Sequence, residues 1–396
     1  MVGKLYKKFK LRDIINLRYG KGLPKNKRKA GKYPVYGSGG IVGTHNEALV
    51  KGPGIIIGRK GSIGSVFYEK ESFYPIDTVY FVEQKDQHLD LYYLSQLLSK
   101  IGLENLNSDA AVPGLNRDYA LSQEVLIPPL FAQRKIASIL SAYDDLIENN
   151  LRRIKILEEM AQLIYREWFV HFRFPGHEKV KLVDSPLGKV PEGWEISNLD
   201  KFGDIITGKT PSKKKPEYFG GDMPFIKIPD MYHNLFCIKT LDNLSNLGAE
   251  SQKKKTIPPN SLCVSCIGTV GLVTITALPS QTNQQINSII LYNENYLEYL
   301  YFSLLNLKET IEGYASTGAT MNNLSRGKFV SLKVLYPSIK VINKFNNLAF
   351  PIFQVIRCLQ QKNDYLRQTR DLILPKLISG ELDVSDLDID TGGLDQ

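Results

Sequence analysis

Two stretches of the chain carry apolar residues at the three-and-four spacing of a helix, and most of the remainder alternates in short runs. From Gln133 to Phe172 there is neither glycine nor proline. Within it Ile147, Leu151, Ile154, Leu157, Ala161, Ile164 and Trp168 form a single stripe, which predicts a helix of about 40 residues, ~60 Å long. Near the C-terminus Phe345, Ala349, Ile352, Ile356, Leu359, Asn363, Leu366, Arg370, Ile373 and Leu377 repeat the pattern. Pro351 should kink or restart this second helix near its beginning. Asn363 and Arg370 are polar positions in its seam, of the kind that fix register. The regions before each helix are short runs of Val, Ile, Tyr and Phe punctuated by Gly and Pro, the signature of strands.

The expected fold class is therefore α+β: two mixed α/β globules alternating with two long helices. The first globule spans residues 1–130, followed by a helix over 131–175 and a linker over 176–193. The second spans 194–338, followed by a helix over 339–382 and a flexible acidic tail over 383–396. Two single-stripe helices in one chain are expected to pair as an antiparallel coiled coil, which would relate the globules by a pseudo-two-fold axis.

The globules are copies of one another. LRDIINLRYGKG (11–22) aligns with LDKFGDIITGKT (199–210), placing Gly20 on Gly208 and Lys21 on Lys209. GIIIGRKGSIGSVFY (54–68) aligns with SLCVSCIGTVGLVTI (261–275), placing Gly61 and Gly64 on Gly268 and Gly271. LYYLSQLLS (91–99) matches LEYLYFSLL (297–305). VPGLNRDYALSQEVLIPPL (112–130) matches MNNLSRGKFVSLKVLYPSI (321–339), with Arg117 on Arg326. A colinear match with so long a period is domain duplication rather than a solenoid.

Charge adds a partner to this picture. Lys plus Arg number 50 against 41 acids, for a formal charge of +9. Residues 1–33 hold twelve Lys or Arg and a single acid, Asp13, and lysine triplets occur at 213–215 and 253–255. Basic clusters of this kind suit a polyanion. Four cysteines are too few for a disulfide scaffold and fit a reducing compartment. The N-terminal sequence MVGKLYKKFKLRD lacks the apolar core of a signal peptide, so a soluble cytoplasmic protein is expected.

Several motifs suggest catalysis and fail on context. GDIITGKT (203–210) fits the ATP-binding P-loop letter for letter. A P-loop must open a helix whose N-terminus holds phosphate, whereas PSKKKPEYFGGDMP follows here, and the matching stretch of the first copy lacks the first glycine. Asp77, Glu83 and Lys85 form a loose nuclease-like set that the second copy does not repeat. Cys263 and Cys266 form a lone C-x-x-C inside an alternating apolar run, which reads as a buried strand rather than a zinc site. The five histidines form no metal-ligand motif. No catalytic, metal or cofactor-binding residue is assigned.

The junction motifs LNRDYALSQEVLIPPLFAQRKIASIL, LSRGKFVSLKVLYPS and LILPKLISGEL, in that duplicated order, resemble the specificity (S) subunits of type I restriction-modification enzymes. The resemblance covers nearly the whole chain. It implies two target-recognition domains, each reading half of a bipartite, interrupted DNA sequence, and two spacer helices that dock two modification (M) subunits. Restriction (R) subunits can join them. It also implies that S-adenosylmethionine, ATP and magnesium act on those partners and not on this chain. The alternative is a stand-alone two-headed DNA-binding protein, such as a repressor or architectural factor.

Chemistry alone nominates the DNA contacts, because Arg, Lys and Asn supply base-edge bonds while Ser, Thr and backbone amides hold phosphates. In the first copy these are Lys21, Lys25, Lys27, Arg28, Arg59, Lys60, Ser62 and Arg117. In the second they are Lys209, Thr210, Ser212, Lys213, Lys214, Thr269, Thr320, Asn322, Asn323 and Arg326. Partner subunits are expected on outer helix faces, around Arg152, Arg153, Lys155, Arg367 and Arg370.

Overall fold

The computed structural model describes residues 6–106, 114–232, 234–315 and 323–391. The chain divides into two compact units, Met1–Ile147 with Tyr365–Gln396, and Glu148–Asp364. The division falls inside both long helices, so each unit takes a piece of each.

In the first unit, GIIIG forms the strand Gly54–Gly58, whose five residues are all buried. Its run is continuously apolar because both faces are covered. Ile55 and Ile57 face a core that also holds Tyr93, Leu94 and Leu97 of the helix Leu91–Leu98, whereas Ile56 packs with Tyr36, Phe73 and Val79. This strand lies within an antiparallel sheet of order Ile15–Tyr19, Val79–Gln84, Gly54–Gly58, Val66–Glu69. A second sheet joins Gly40–His45, Tyr33–Gly37 and Tyr74–Pro75, the last pair parallel.

The second unit repeats the plan. Its larger sheet runs Gly203–Thr207, Ile286–Leu291, Leu262–Ser265, Val273–Thr276, with one extra parallel edge strand, Phe236–Cys237. Leu262 and Val264 face the helix side, and Cys263 faces Ile226, Ile257 and Ile286. The lone C-x-x-C is thus buried strand and its continuation, with Cys263 and Cys266 at 0% and 2% exposure.

The duplication extends to single backbone hydrogen bonds. Gly20 N donates to the Val79 carbonyl and Lys21 N to that of Pro75; Gly208 N and Lys209 N donate to Ile286 and Thr282 in the same way. Arg59 N donates to Thr78 and Leu115 N to Arg59, matched by Cys266 N to Gln285 and Leu324 N to Cys266. The shared glycines follow from this frame. A Cβ on Gly20 would overlap the Ile76 carbonyl, and one on Gly208 the Asn283 carbonyl. Gly64 and Gly271 adopt φ of 73° and 81°, a left-handed conformation open to glycine at little cost.

The first long helix runs Leu130–Tyr165 and closes in a π turn, Arg166–Val170, five residues short of the expected end at 175. Its buried stripe passes through Asn150 rather than Leu151, which is 48% exposed. The second helix runs unbroken from Ile339 to Ser379, so Pro351 does not restart it. Pro351 is exposed while Ala349 and Phe353 beside it are buried. The carbonyl deprived of its amide partner therefore lies on the wet side, and packing carries the helix through. Within the second unit the two helices are antiparallel: Asn150 meets Asn363, and further along Tyr165 and Trp168 meet Phe345.

The segments set apart as a linker and as a flexible tail both carry defined structure. The 176–193 linker folds into a hairpin, Leu182–Ser185 with Gly188–Pro191, clasped by the Ser185 hydroxyl donating to the Gly188 carbonyl at 2.5 Å. The acidic tail from residue 383 is docked over its described part. Val384 is 3% exposed, and Lys135 Nζ and Ser138 Oγ donate to the Ser385 and Asp390 carbonyls at 2.7 and 2.9 Å. An apolar side chain within the acidic run, together with donors to its backbone, holds it against the helix. Among the described residues no helix is long and apolar enough to cross a membrane.

Candidate nucleic-acid interface

Each unit gathers four segments at one rim. In the first these are the end of strand Ile15–Tyr19 with Gly20 and Lys21, the loop Arg59–Gly64, the Asp77–Thr78 turn and Gly114–Arg117. The hydrogen bonds above tie them together, and Lys60 bridges to Gly114. Lys21, Arg59, Lys60 and Arg117 therefore come to one place.

Their partner there is Tyr19, which no local sequence pattern singles out. Its ring is 52% exposed and lies against two guanidiniums, Arg59 at 5.2 Å and Arg117 at 5.6 Å from the centroid. Beneath it Tyr80 is buried, 5.0 Å away between centroids, and its hydroxyl donates to the Leu115 carbonyl at 3.1 Å. Burial pushes the Tyr80 hydroxyl up to about 12, so it stays a protonated donor. Ser62 is exposed on the same loop as Arg59. Lys25 and Lys27 stand exposed on a 3-10 turn. Arg28 is engaged internally, donating to the Leu23 carbonyl at 3.3 Å and the Val42 carbonyl at 2.6 Å.

In the equivalent rim of the second unit, neutral groups take the places of Arg59, Tyr19 and Tyr80. Cys266 occupies the place of Arg59, Thr207 that of Tyr19 and Asn287 that of Tyr80. Thr207 Oγ1 donates to Asn287 Oδ1 at 2.7 Å, and Asn287 Nδ2 donates to Cys266 Sγ at 3.2 Å. Arg326, the counterpart of Arg117, donates to the Ile205 carbonyl at 3.1 Å. Asn323 bridges to Ile267. Thr210 donates to Gln284 Oε1 at 2.6 Å, and Thr269 accepts from the Tyr232 hydroxyl at 3.1 Å. Lys209, Ser212, Lys213 and Lys214 are exposed on the connecting loop. Thr320 and Asn322 lie outside the described residues.

The catalytic look-alikes are accounted for by the same geometry. Gly203–Thr207 is a strand, the Gly208 and Lys209 amides are already bonded, and a 3-10 turn at Pro216–Tyr218 comes next. That leaves neither the helix N-terminus nor the unpaired amides that phosphate needs. Glu83 accepts from Asn16 and Arg18, which hold its carboxyl below the usual range. Lys85 instead donates to the Arg12 carbonyl. Burial pushes the Cys263 thiol up to about 12 and that of Cys266 to about 11, removing the thiolate that nucleophile or ligand chemistry requires. Among the described residues no group of three His, Cys, Asp or Glu could hold a metal ion.

On the helices, Arg152, Arg153 and Lys155 are exposed, with Arg152 and Lys155 in ion pairs along their own helix to Glu148 and Glu159. Arg367 is half-buried. Arg370 does not present an outer face: its guanidinium pairs with Asp144 of the first helix at 2.5 Å, in accord with its place in the seam. Ile156, Met160 and Leu163 form a second, outward stripe at 55%, 48% and 59% exposure. Their four-then-three spacing is present in the sequence beside the stronger inner stripe.

Comparison with known proteins agrees with this construction. The profile of the type I restriction modification DNA specificity domain matches residues 3–159 and again 191–346. The HindI specificity subunit of Haemophilus influenzae is 35% identical over 328 residues, covering 68% of this chain and 71% of that protein. The MjaIX specificity subunit of Methanocaldococcus jannaschii is 27% identical, covering 75% and 69%. Among solved structures, a type I restriction-modification S subunit from M. genitalium shares the fold, with a TM-score of 0.61 at 17% identity, covering 95% and 97%. The chain belongs to the type I restriction-modification DNA specificity family. It is a specificity subunit, the non-catalytic component that recognises DNA on behalf of modification and restriction partners.

Proposed function

We propose that each unit reads one half of a bipartite DNA target through its four-segment rim, with an unread spacer between the halves. The observation that carries this is the duplicated backbone frame bearing different side chains at corresponding rim positions, Arg59 and Cys266 above all. One scaffold with two sets of reading groups suits two different half-sites. Two modification subunits dock on the exposed helix faces, where Arg152, Arg153 and Lys155 adjoin the outward stripe of Ile156, Met160 and Leu163. Apolar anchors ringed by charge are the usual composition of a stable interface. Restriction subunits can join this assembly, which works in the cytoplasm. S-adenosylmethionine, ATP and magnesium belong to those partners.

The test is the methylation pattern of a host carrying the modification subunit, with and without this chain. A two-part interrupted motif that depends on the chain is the expected result. Exchanging residues 1–130 for those of another family member should change one half of the motif only. If no motif depends on the chain while both subunits are present and soluble, the reading fails, and direct DNA binding by the isolated chain becomes the alternative to measure.

A further inference from the structure

Arg59 is held in a particular way. Its Nε and Nη2 both donate to the Asp77 carbonyl, at 3.3 and 2.8 Å, and both bonds lie at the surface. A guanidinium has five N–H donors in a rigid plane. Bonding one edge, Nε with Nη2, leaves the end-on edge, Nη1 with Nη2, as a forked pair of donors. The plane is fixed further by the Tyr19 and Tyr80 rings, 5.2 and 5.9 Å from the guanidinium carbon. Among the described residues no carboxylate pairs with Arg59. Arg117 lies against the same Tyr19 ring, and its ion pair to Asp118, at 3.7 Å, involves an aspartate 86% exposed. The result is a braced, uncompensated arginine fork at the rim of the first unit.

We infer that Arg59 reads a guanine in the half-site of the first unit, with Tyr19 and the Asp77 carbonyl as the positioning groups that aim its free edge. Two parallel donors match the O6 and N7 acceptors of guanine in the major groove, and no other base offers that pair. Bracing removes the side-chain entropy that a free arginine would lose on binding. The second unit cannot make this contact at the corresponding position, because Cys266 is buried and already accepts from Asn287. The inference rests on the two-half-site reading and names one base within it.

The test uses the complete complex of this chain with its modification subunits on a DNA library randomised at both half-sites. Wild type, Arg59→Ala, Arg59→Lys, Tyr19→Phe and Tyr19→Ala are compared. In Arg59→Ala, discrimination at a single G·C pair of one half-site should fall by about 5- to 150-fold, with the other half read as before. That unchanged half shows in the same experiment that the chain has folded. Arg59→Lys should lose the same discrimination, since it keeps the charge without the fork. Tyr19→Ala should blur the same position, and Tyr19→Phe should preserve it. Uniform weakening across all sequences, rescued by lysine, would make Arg59 a phosphate contact and overturn the inference. So would an unchanged motif, or a loss at an A·T pair. A wild-type complex with no two-part motif overturns the underlying reading as well.

Discussion

Asn150 of the first long helix donates its side-chain amide to the side-chain carbonyl of Asn363 on the second, at 2.8 Å, with both residues buried. The Nδ2 of Asn363 has no partner of its own. An apolar pair would bury more favourably here, so the asparagines act through register: a helix shifted by one turn would leave both unpaired. Asn150→Leu alone should destabilise the second unit by about 1–3 kcal/mol, the cost of an unpaired buried amide. Asn150→Leu with Asn363→Leu should recover that loss or exceed wild type, while allowing more than one helix alignment. Urea denaturation reads the first effect. Disulfide trapping between cysteines introduced along the two helices reads the second.

Glu298 is 1% exposed on the helix Leu297–Asn306, and Asn346 donates to its Oε2 at 2.8 Å. Burial pushes its carboxyl up from 4.5 to about 7. A group raised in the folded state favours folding while protonated in both states, and that contribution is lost as pH climbs from the unfolded value through the folded one. Stability should therefore fall between about pH 4.5 and 7 on account of Glu298, by up to about 3 kcal/mol. Glu298→Gln keeps an acceptor for Asn346 and abolishes the charge. It should raise stability at pH 8 and leave it unchanged near pH 4, as paired denaturation curves would reveal. Glu158, also raised to about 7 by burial, adds to the wild-type slope and remains in the variant.

The four cysteines divide sharply by environment. Cys237, Cys263 and Cys266 are buried and Cys358 is exposed, with burial holding the three inner thiols protonated. The thiolate is the reactive form, so a thiol reagent should label one site rapidly in the native protein. The remaining three should react only at the rate of opening. Mass mapping of the fast-labelled site to Cys237, Cys263 or Cys266 would contradict the burial of that residue in the second unit's sheets and their connections.

The helices were legible because burial on one side writes a period into the sequence that packing cannot erase. The duplicated frame was legible for a related reason: Gly20 and Gly208 are fixed by carbonyls that leave no room for a Cβ, so the residue type survives. The rim was less so. Tyr19 matters through Arg59 and Arg117, which arrive from 40 and 98 residues away, and no local pattern announces that meeting. Pro351 misled because its effect depends on which face of the helix it occupies. Val384 misled because one apolar residue among acids has little weight in composition but docks the tail.

Basic side chains that look alike in sequence should separate in measurement. Lys213 and Lys214 stand exposed on the loop after Lys209, and as mobile point charges they suit phosphate contact rather than base readout. Replacing both with alanine should weaken DNA binding by the complex alike on every sequence. It should also lower the slope of log affinity against log salt by about 1 for each phosphate no longer neutralised. Protein stability should not change. Arg28 lies in an equally basic stretch but clasps the Leu23 and Val42 carbonyls, and its guanidinium lies against Gly43. Arg28→Ala should leave those carbonyls short of a donor and loosen the segment Lys25–Arg28 against the strand Gly40–His45. The expected signature is faster amide exchange at residues 23–28 and 40–45, with a salt slope lowered by less than one phosphate's share. A full phosphate's share missing from the slope, with exchange unchanged, would instead make Arg28 a phosphate ligand that the carbonyls merely hold when DNA is absent.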